Sequence, residues 1–288
     1  MKKAILLLFA FSFLTSCSND DNGTQQELDA ALKIKKFTIT DVNSDNWRIE
    51  YNFDEDTKPI LYFSTPDGID GLKTIISYNN SGQLEEVVVN NTYQGNTDFL
   101  HKSEYEYNTR NEIERISRTD SDGLDYGELT ATHFQDSIQI HRDIFLDGVT
   151  DFRLIFGPDN KLIQKNLDPH AYNAHSTVIK YNYNDGNLVN IHEESNSNTG
   201  DFYYEFDDKI NPLHPILMRD YRNFLLDDLG LYLAFDREYL YSENNITQRN
   251  KYGQLHNIIY EYNDLGYPIR GEVTIDGQLS NILIYEYY

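Results

Sequence analysis

The one thiol in this sequence is the residue most able to do covalent chemistry. Cys17 is the only cysteine among 288 residues, so the chain cannot form an internal disulfide. It directly follows residues 1–16, in which Lys2 and Lys3 precede the apolar run AILLLFAFSFL and the small residues TS. That order is typical of a secretory signal, and the apolar run is too short to cross a bilayer permanently. We therefore expect an exported protein with a single thiol at its cleavage site.

The four residues LTSC at 14–17 resemble the lipobox of bacterial lipoproteins. The resemblance implies that Cys17 is the lipid-carrying first residue of the mature chain, held on a membrane by its acyl chains. SNDD at 18–21 resembles the acidic export tag that sends lipoproteins of the Bacteroidota to the outer face of the outer membrane. Together they predict a lipid-anchored, surface-exposed outer-membrane protein, with residues 17–27 as a flexible acidic tether. The alternative is a free cysteine beside an ordinary secretion signal.

The charge of the chain excludes one class of partner. Without Lys2 and Lys3, 22 of the 24 basic residues remain against 47 acidic ones, a net charge of about −25 for the mature chain. Such a surface repels nucleic acid and anionic lipid headgroups over a Debye length of about 10 Å. We expect no nucleic-acid partner, and we expect the lipid at Cys17 to be the contact with the membrane. The sequence leaves the oligomeric state open.

Histidines and carboxylates are the remaining candidates for metal or acid–base chemistry. His170 and His175 lie beside Asp168, but a proline marks the segment as a loop, so exposed histidines are favoured over zinc ligands. DVNSDN at 41–46 and TDSDG at 119–123 begin like calcium loops, yet neither continues with the required Gly and Glu, and Asx turns explain both. Catalytic motifs such as G-x-S-x-G, H-E-x-x-H and the P-loop are absent. We assign no catalytic residue, metal or cofactor.

A recurring unit organises the rest of the chain. Each copy has a strand that ends in an aromatic residue, a polar turn rich in Asn, Asp and Gly, and an apolar residue that starts the returning strand, which is the pattern of a β-hairpin. The copies are ISYNNSGQLEEVVV (76–89), YEYNTRNEIERISR (105–118), LIFGPDNKLIQKNL (154–167), KYNYNDGNLVNIHE (180–193) and YEYNDLGYPIRGEV (260–273).

These units resemble the YD-type repeats of RHS-like proteins, in the form found in uncharacterised lipoproteins of the Bacteroidota. YYEFDDKINPLHPI at 203–216 and the segment 243–273 also resemble parts of those lipoproteins, so the resemblance covers roughly residues 75–288. It implies an antiparallel meander of Tyr-rich hairpins and supplies no catalytic residues. Because five unequally spaced units are few for a closed shell, we expect an open curved sheet.

One segment departs from the strand pattern. Leu217, Tyr221, Phe224 and Leu225 recur at intervals of three and four, which predicts a short helical insertion at about 213–229. The expected fold is therefore mainly β, with a single domain over residues 28–288 that this helix interrupts.

Aromatic side chains are the best candidates for a binding surface. Five were selected because an exposed Tyr or Trp can stack against a sugar ring or grip a partner protein; the alternative is that they only pack within the sheet. We expect a surface-anchored lipoprotein with a non-enzymatic binding or scaffold role, its ligand a glycan or a protein. Alternatives are a polysaccharide-acting surface hydrolase with unidentified carboxylates, and an RHS-like structural component of an adhesion or delivery system. The five aromatics are Trp47, Tyr105, Tyr107, Tyr204 and Tyr262.

Overall fold

A computed structural model describes most of the chain beyond the predicted tether. The described residues are 32–43, 47–65, 70–94, 96–144, 148–169, 176–195, 199–219, 241–251 and 253–288. The signal, Cys17 and the tether predicted over residues 1–27 lie outside them and stay predictions. Residues Lys33–Tyr288 form one compact unit.

The described part of this unit consists almost entirely of β-strands. Alternating polar and apolar residues, many of them Tyr, Ile, Val and Thr, favour this structure. The strands are β1 (Ile34–Asp41), β2 (Arg48–Phe53), β3 (Pro59–Thr65), β4 (Gly71–Tyr78), β5 (Leu84–Tyr93), β6 (Asn96–Tyr107), β7 (Ile113–Asp120), β8 (Asp125–His133), β9 (Ser137–Ile144), β10 (Gly148–Phe156), β11 (Leu162–Pro169), β12 (Thr177–Asn184), β13 (Asn187–Ser195), β14 (Thr199–Ile210), β15 (Asn244–Lys251), β16 (Gln254–Tyr262), β17 (Pro268–Ile275) and β18 (Gln278–Tyr287).

These strands form a closed antiparallel barrel. Each strand pairs with its neighbours in the sequence, and β1 also pairs with β18, so Thr38 lies between Glu50 of β2 and Ile284 of β18. Closure leaves no open edge among the described strands. The predicted open curved sheet is therefore wrong. Hairpins that lack the aromatic–Asn signature, such as β8–β9, were not counted in the sequence, and they supply the strands needed for closure.

The two faces of the barrel wall differ sharply in polarity. Alternate side chains from all the described strands point inward and form one apolar core, in which Ile116, Ile140, Leu188 and Leu283 are fully buried. Ion-paired side chains such as Lys102 and Glu104 point outward, whereas Arg249 lies inside, opposite Tyr204. Transmembrane β-barrels have the reverse arrangement, with an apolar band facing lipid and a polar interior. The outer surface of this barrel is therefore suited to contact with water.

The repeated aromatic–Asn turns have a clear structural role. In the turn after β6, Asn108 Oδ1 accepts hydrogen bonds from the N–H groups of Arg110 (2.8 Å) and Glu112 (3.1 Å), and Asn111 has a φ of 63°. Tyr107, the aromatic residue of the same unit, donates its hydroxyl hydrogen to the carbonyl of Leu84 on the preceding strand at 2.9 Å. The Asx residue therefore shapes the turn, and the tyrosine joins it to the neighbouring hairpin. Equivalent Asx bonds form at Asp54, Asn79 and Asn263.

The predicted helical insertion lies between β14 and β15. The described residues contain a helix, α1, at His214–Arg219, and the remainder of the predicted range to residue 229 lies outside them. Asn211 Oδ1 accepts the N–H of Leu213 at 3.0 Å, and its amide donates to the carbonyl of Ser242 at 2.9 Å. The bond to Ser242 joins the residues that precede and follow the insertion. No helix among the described residues has the length and apolarity needed to cross a bilayer.

Candidate functional site

Four of the aromatic residues selected from the sequence lie in or against the core, and the fifth, Tyr262, contacts the ring of Tyr260. Tyr105 and Tyr204 are buried, and Trp47, Tyr107 and Tyr262 are partly buried and pack on core residues or donate to neighbouring groups. The hydroxyl of Tyr262 donates to Asp207. The structure thus distributes these five residues along the inside of the wall and does not bring them together as one outer surface. Their role toward a ligand stays a prediction.

Tyr203, the neighbour of Tyr204 in the sequence, is exposed on the outer face of the wall. Successive residues of a strand point to opposite faces, so Tyr204 points inward with 6% exposure and Tyr203 points outward with 57% exposure. Among the described residues, no hydrogen bond or ring contact involves the side chain of Tyr203. The sequence does contain a signal for this choice, because Tyr203 shares its alternation with the acidic residues Asp201 and Glu205. Asp201 and Glu205 thus mark the outward positions of this part of β14.

Tyr203 stands in a row of amide side chains that crosses four strands. The antiparallel register places Asn182 of β12 opposite Asn190 of β13, Asn190 opposite Tyr203 of β14, and Tyr203 opposite Asn250 of β15. Asn182 and Asn250 are exposed, and Asn190 is half-buried. We call Asn182, Asn190, Tyr203 and Asn250 the Tyr203 row. It presents an aromatic ring flanked on both sides by groups that donate and accept hydrogen bonds.

Hydrogen bonds within the wall orient this row. Asn182 Nδ2 donates to Asn190 Oδ1 at 2.9 Å, and Asn190 Nδ2 donates to the carbonyl of Phe202 at 3.1 Å. Asn190 is therefore held in place by its neighbours and in turn holds Asn182. Fixing side chains in advance lowers the entropy cost of binding.

A second polar row lies on the side of Tyr203 toward Glu205. Glu205 of β14 is opposite Gln248 of β15, and Gln248 is opposite Asn257 of β16. Gln248 Nε2 donates to Asn257 Oδ1 at 2.8 Å. These two rows together place five amide side chains on the outer surface of β12–β16.

The row on the side of Tyr203 toward Asp201 contains a histidine–carboxylate pair. Lys180 lies opposite His192, and His192 lies opposite Asp201, with His192 Nδ1 at 2.9 Å from Asp201 Oδ1. The hydrogen bond from His192 lowers the pKa of Asp201 below the usual value for an aspartic acid. Asp201 is therefore ionised at neutral pH, and the imidazole offsets part of its charge. We use the name Tyr203 face for the Tyr203 row together with these two flanking rows.

The sites considered for metal binding have ordinary structural roles where they are described. Asp120 Oδ1 accepts the N–H groups of Asp122 and Leu124 at 2.9 Å, and Asp41 Oδ1 accepts the N–H of Asn43 at 2.8 Å. The predicted Asx turns are confirmed at these two positions. Asp45, His170 and His175 lie outside the described residues, which contain no group of three or more His, Cys, Asp or Glu side chains able to hold a metal ion.

Comparisons with known proteins give distant structural similarities only. No protein-family model and no curated protein matches the chain. A porin-like protein from Bacteroides uniformis is 10% identical with a TM-score of 0.49, over 88% of this chain and 98% of its own. A porin-like protein from Bacteroides vulgatus is 13% identical with a TM-score of 0.39, over 89% and 99%. TcdB2-TccC3 without its hypervariable C-terminal region is 13% identical with a TM-score of 0.31, over 83% of this chain and 15% of its own. At these values the similarity assigns no activity to this chain.

Proposed function

We propose that this chain is a surface lipoprotein whose barrel captures glycans on the Tyr203 face without cleaving them. The observation that carries the proposal is the 57% exposure of Tyr203 within a row of amide side chains. The C–H groups of a sugar ring pack on an aromatic ring, while its hydroxyls form hydrogen bonds with amides and carboxylates. The outer surface of the barrel wall offers both kinds of contact side by side.

The polarity of the barrel wall supports a role outside the bilayer. Lys102, Glu104 and Arg115 point outward and form ion pairs in water, whereas lipid-facing positions of a membrane barrel are apolar. We therefore place the barrel in the aqueous phase and assign membrane attachment to acyl chains on Cys17. The SNDD segment supports a position on the outer face of the outer membrane, where extracellular glycans are accessible.

The proposal is tested by affinity electrophoresis in gels that contain single polysaccharides, such as mannan, xylan, β-glucan, starch and polygalacturonate. We expect retardation of the wild-type protein by at least one of them and loss of that retardation in Tyr203→Ala. Tyr93→Ala is the matched control, because Tyr93 is 58% exposed on β5, away from the Tyr203 face. Equal retardation of all three proteins, or none with any polysaccharide, would contradict glycan capture at this face.

The same samples distinguish capture from hydrolysis. After prolonged incubation with the retarding polysaccharide, we expect no increase in reducing ends. An increase that requires active protein would favour the surface hydrolase instead. Attachment is tested separately by labelling cells with a palmitate analogue: wild-type protein should incorporate the label and Cys17→Ala should not.

A further inference from the structure

We infer that the Tyr203 row binds a linear, uncharged polysaccharide that lies across the strands with about one sugar residue on each strand. This inference rests on the proposed function and specifies the class of its ligand. The row is a straight line of outward side chains on four consecutive strands, from Asn182 of β12 to Asn250 of β15.

The spacing of the strands sets the spacing of the contacts. Neighbouring strands lie about 4.8 Å apart, so the four side chains cover about 15 Å across the sheet. Each step is close to the length of one pyranose ring in an extended chain. A linear polysaccharide that crosses the strands can thus place successive sugars over Asn182, Asn190, Tyr203 and Asn250. A chain that runs parallel to the strands would leave the amide row after a single sugar.

The hydrogen-bonding groups of the row suit hydroxyls more than anions. Neutral amides both donate and accept, as hydroxyls do, and the bond from Asn182 to Asn190 is already in place. Specific binding of sulfate or carboxylate groups commonly uses Arg or several Lys side chains, because charge-assisted bonds are stronger. Within the described rows of the Tyr203 face, Lys180 is the one such residue.

The local charge also disfavours acidic polysaccharides. Asp201 and Glu205 flank Tyr203 on its own strand, both exposed, against the single ammonium of Lys180. A polymer of uronic acids would bring further negative charge toward these carboxylates and toward a chain of net charge −23. An uncharged polysaccharide avoids this repulsion, and its binding does not depend strongly on salt.

The test is isothermal titration calorimetry. The purified mature chain is titrated with oligosaccharides of two to six sugars. The probes are cello-, manno- and xylo-oligosaccharides, with oligogalacturonides as the anionic series. We expect affinity in one neutral series to rise with length up to about four sugars and then to level off. It should change less than twofold between about 50 and 500 mM salt.

Variants at the ends of the row test its alignment. Asn182→Ala and Asn250→Ala should each weaken the four-sugar ligand about threefold to tenfold and weaken the two-sugar ligand less. Asn96→Ala, an exposed asparagine of β6, is the control. Circular dichroism melts of each variant exclude a general loss of folding.

Different failures have different meanings. Affinity that is independent of length, or equal effects of both row variants on all lengths, would overturn the one-sugar-per-strand arrangement. Tighter binding of oligogalacturonides through Tyr203 would overturn the neutral class and leave glycan capture standing. Absence of Tyr203-dependent binding to every probe in this set and in the polysaccharide gels would overturn the proposed function itself.

Discussion

Two outer regions of the same barrel differ in chemistry although they share one architecture. On β5–β8, outward side chains form an ion-pair face: Lys102 Nζ lies 3.0 Å from Glu104 and 3.8 Å from Glu86, and Arg115 lies 2.6 Å from Glu128. On β12–β16, the Tyr203 face carries five amides, three charged residues, one histidine and one exposed ring. Behind both faces the inward side chains are apolar and belong to the same core.

The two faces differ in the contacts that their exposed side chains can offer to a ligand. Exposed ion pairs contribute little to stability, about 0–1 kcal/mol each, and they satisfy each other's charges. Exposure of a tyrosine alone does not distinguish the two faces, because Tyr93 on β5 is 58% exposed and single exposed aromatics are common on protein surfaces. The row of amides around Tyr203, which the ion-pair face lacks, favours the ligand.

The largest loss of stability should come from substitutions in the shared core. Ile116→Ala, behind the ion-pair face, and Leu188→Ala, behind the Tyr203 face, should each lower the free energy of unfolding by about 2–5 kcal/mol, because each leaves a buried cavity. Urea denaturation measures both. Ile259→Ala is the control, since Ile259 is 69% exposed, and it should cost less than about 0.5 kcal/mol. A small effect at only one of the two buried positions would show that the faces do not share one core.

The interior behind the Tyr203 face contains a buried histidine, His256, whose protonation should make the stability of the protein depend on pH. Burial and the nearby charge of Arg249 lower the pKa of His256 to about 4, and Arg249 donates to His256 Nδ1 at 3.1 Å. Because the unfolded chain binds this proton at a higher pH, about 6.5, the stability contributed by neutral His256 is complete above pH 6.5 and is lost as the pH falls toward 4.

We therefore expect wild-type stability to fall more steeply than that of His256→Asn over this window. Urea midpoints at half-unit pH intervals measure the difference, and carboxylates that titrate in the same range affect both proteins equally. Parallel curves would show that His256 is not shielded in the native barrel.

Substitutions in the repeated Asx turns should cause an intermediate loss of stability. The loss should be similar in the strands of the ion-pair face and near the Tyr203 face. Asn108→Ala removes the acceptor of two backbone N–H groups and should cost about 1 kcal/mol. Asn263→Ala, in the equivalent turn after β16, should cost a similar amount. Thermal melts of both variants test this equivalence, and a cost confined to one turn would show that the repeat has lost its common geometry there.

The smallest loss of stability is expected for a substitution on the ion-pair face. Arg115→Gln removes pairs with Glu128 and Glu106 and should lower stability by less than about 1 kcal/mol, a difference that shrinks as salt is added. Retardation in polysaccharide gels should not change. Loss of glycan binding in Arg115→Gln would mean that the ion-pair face, and not the Tyr203 face, contacts the ligand.

The sequence predicted local structure better than it predicted closure. Hairpins were found because Asx turns and alternating residues are local signals, as at Asn108 and Tyr107. Closure depends on the pairing of Thr38 with Ile284, two residues with no local signal for each other and separated by most of the chain. The number of strands needed for closure could not be counted from the repeats. Turns such as that at Asp54 follow Phe and lack the full repeat pattern, so their hairpins were not recognised.

Tyr204, selected from the sequence, differs by one position from Tyr203 of the proposed face, and the difference has a physical reason. Tyr204, Tyr105 and Tyr107 were selected because they are aromatic. Exposure depends instead on which of two successive residues in a strand points outward. Glu104 and Glu106 mark the outward phase on β6, and Asp201 and Glu205 mark it on β14, which would have selected Tyr203. The amide row could not be predicted, because its register joins four strands through pairings that only the folded sheet defines.

The most direct test of the central claim is a crystal structure of the mature chain soaked with the oligosaccharide that binds most tightly in titration. We predict electron density for a sugar ring stacked on Tyr203, with neighbouring rings over Asn190 and Asn250. Density for the ligand at any other surface, with Tyr203 uncovered in a lattice that leaves it accessible, would contradict glycan capture by this face.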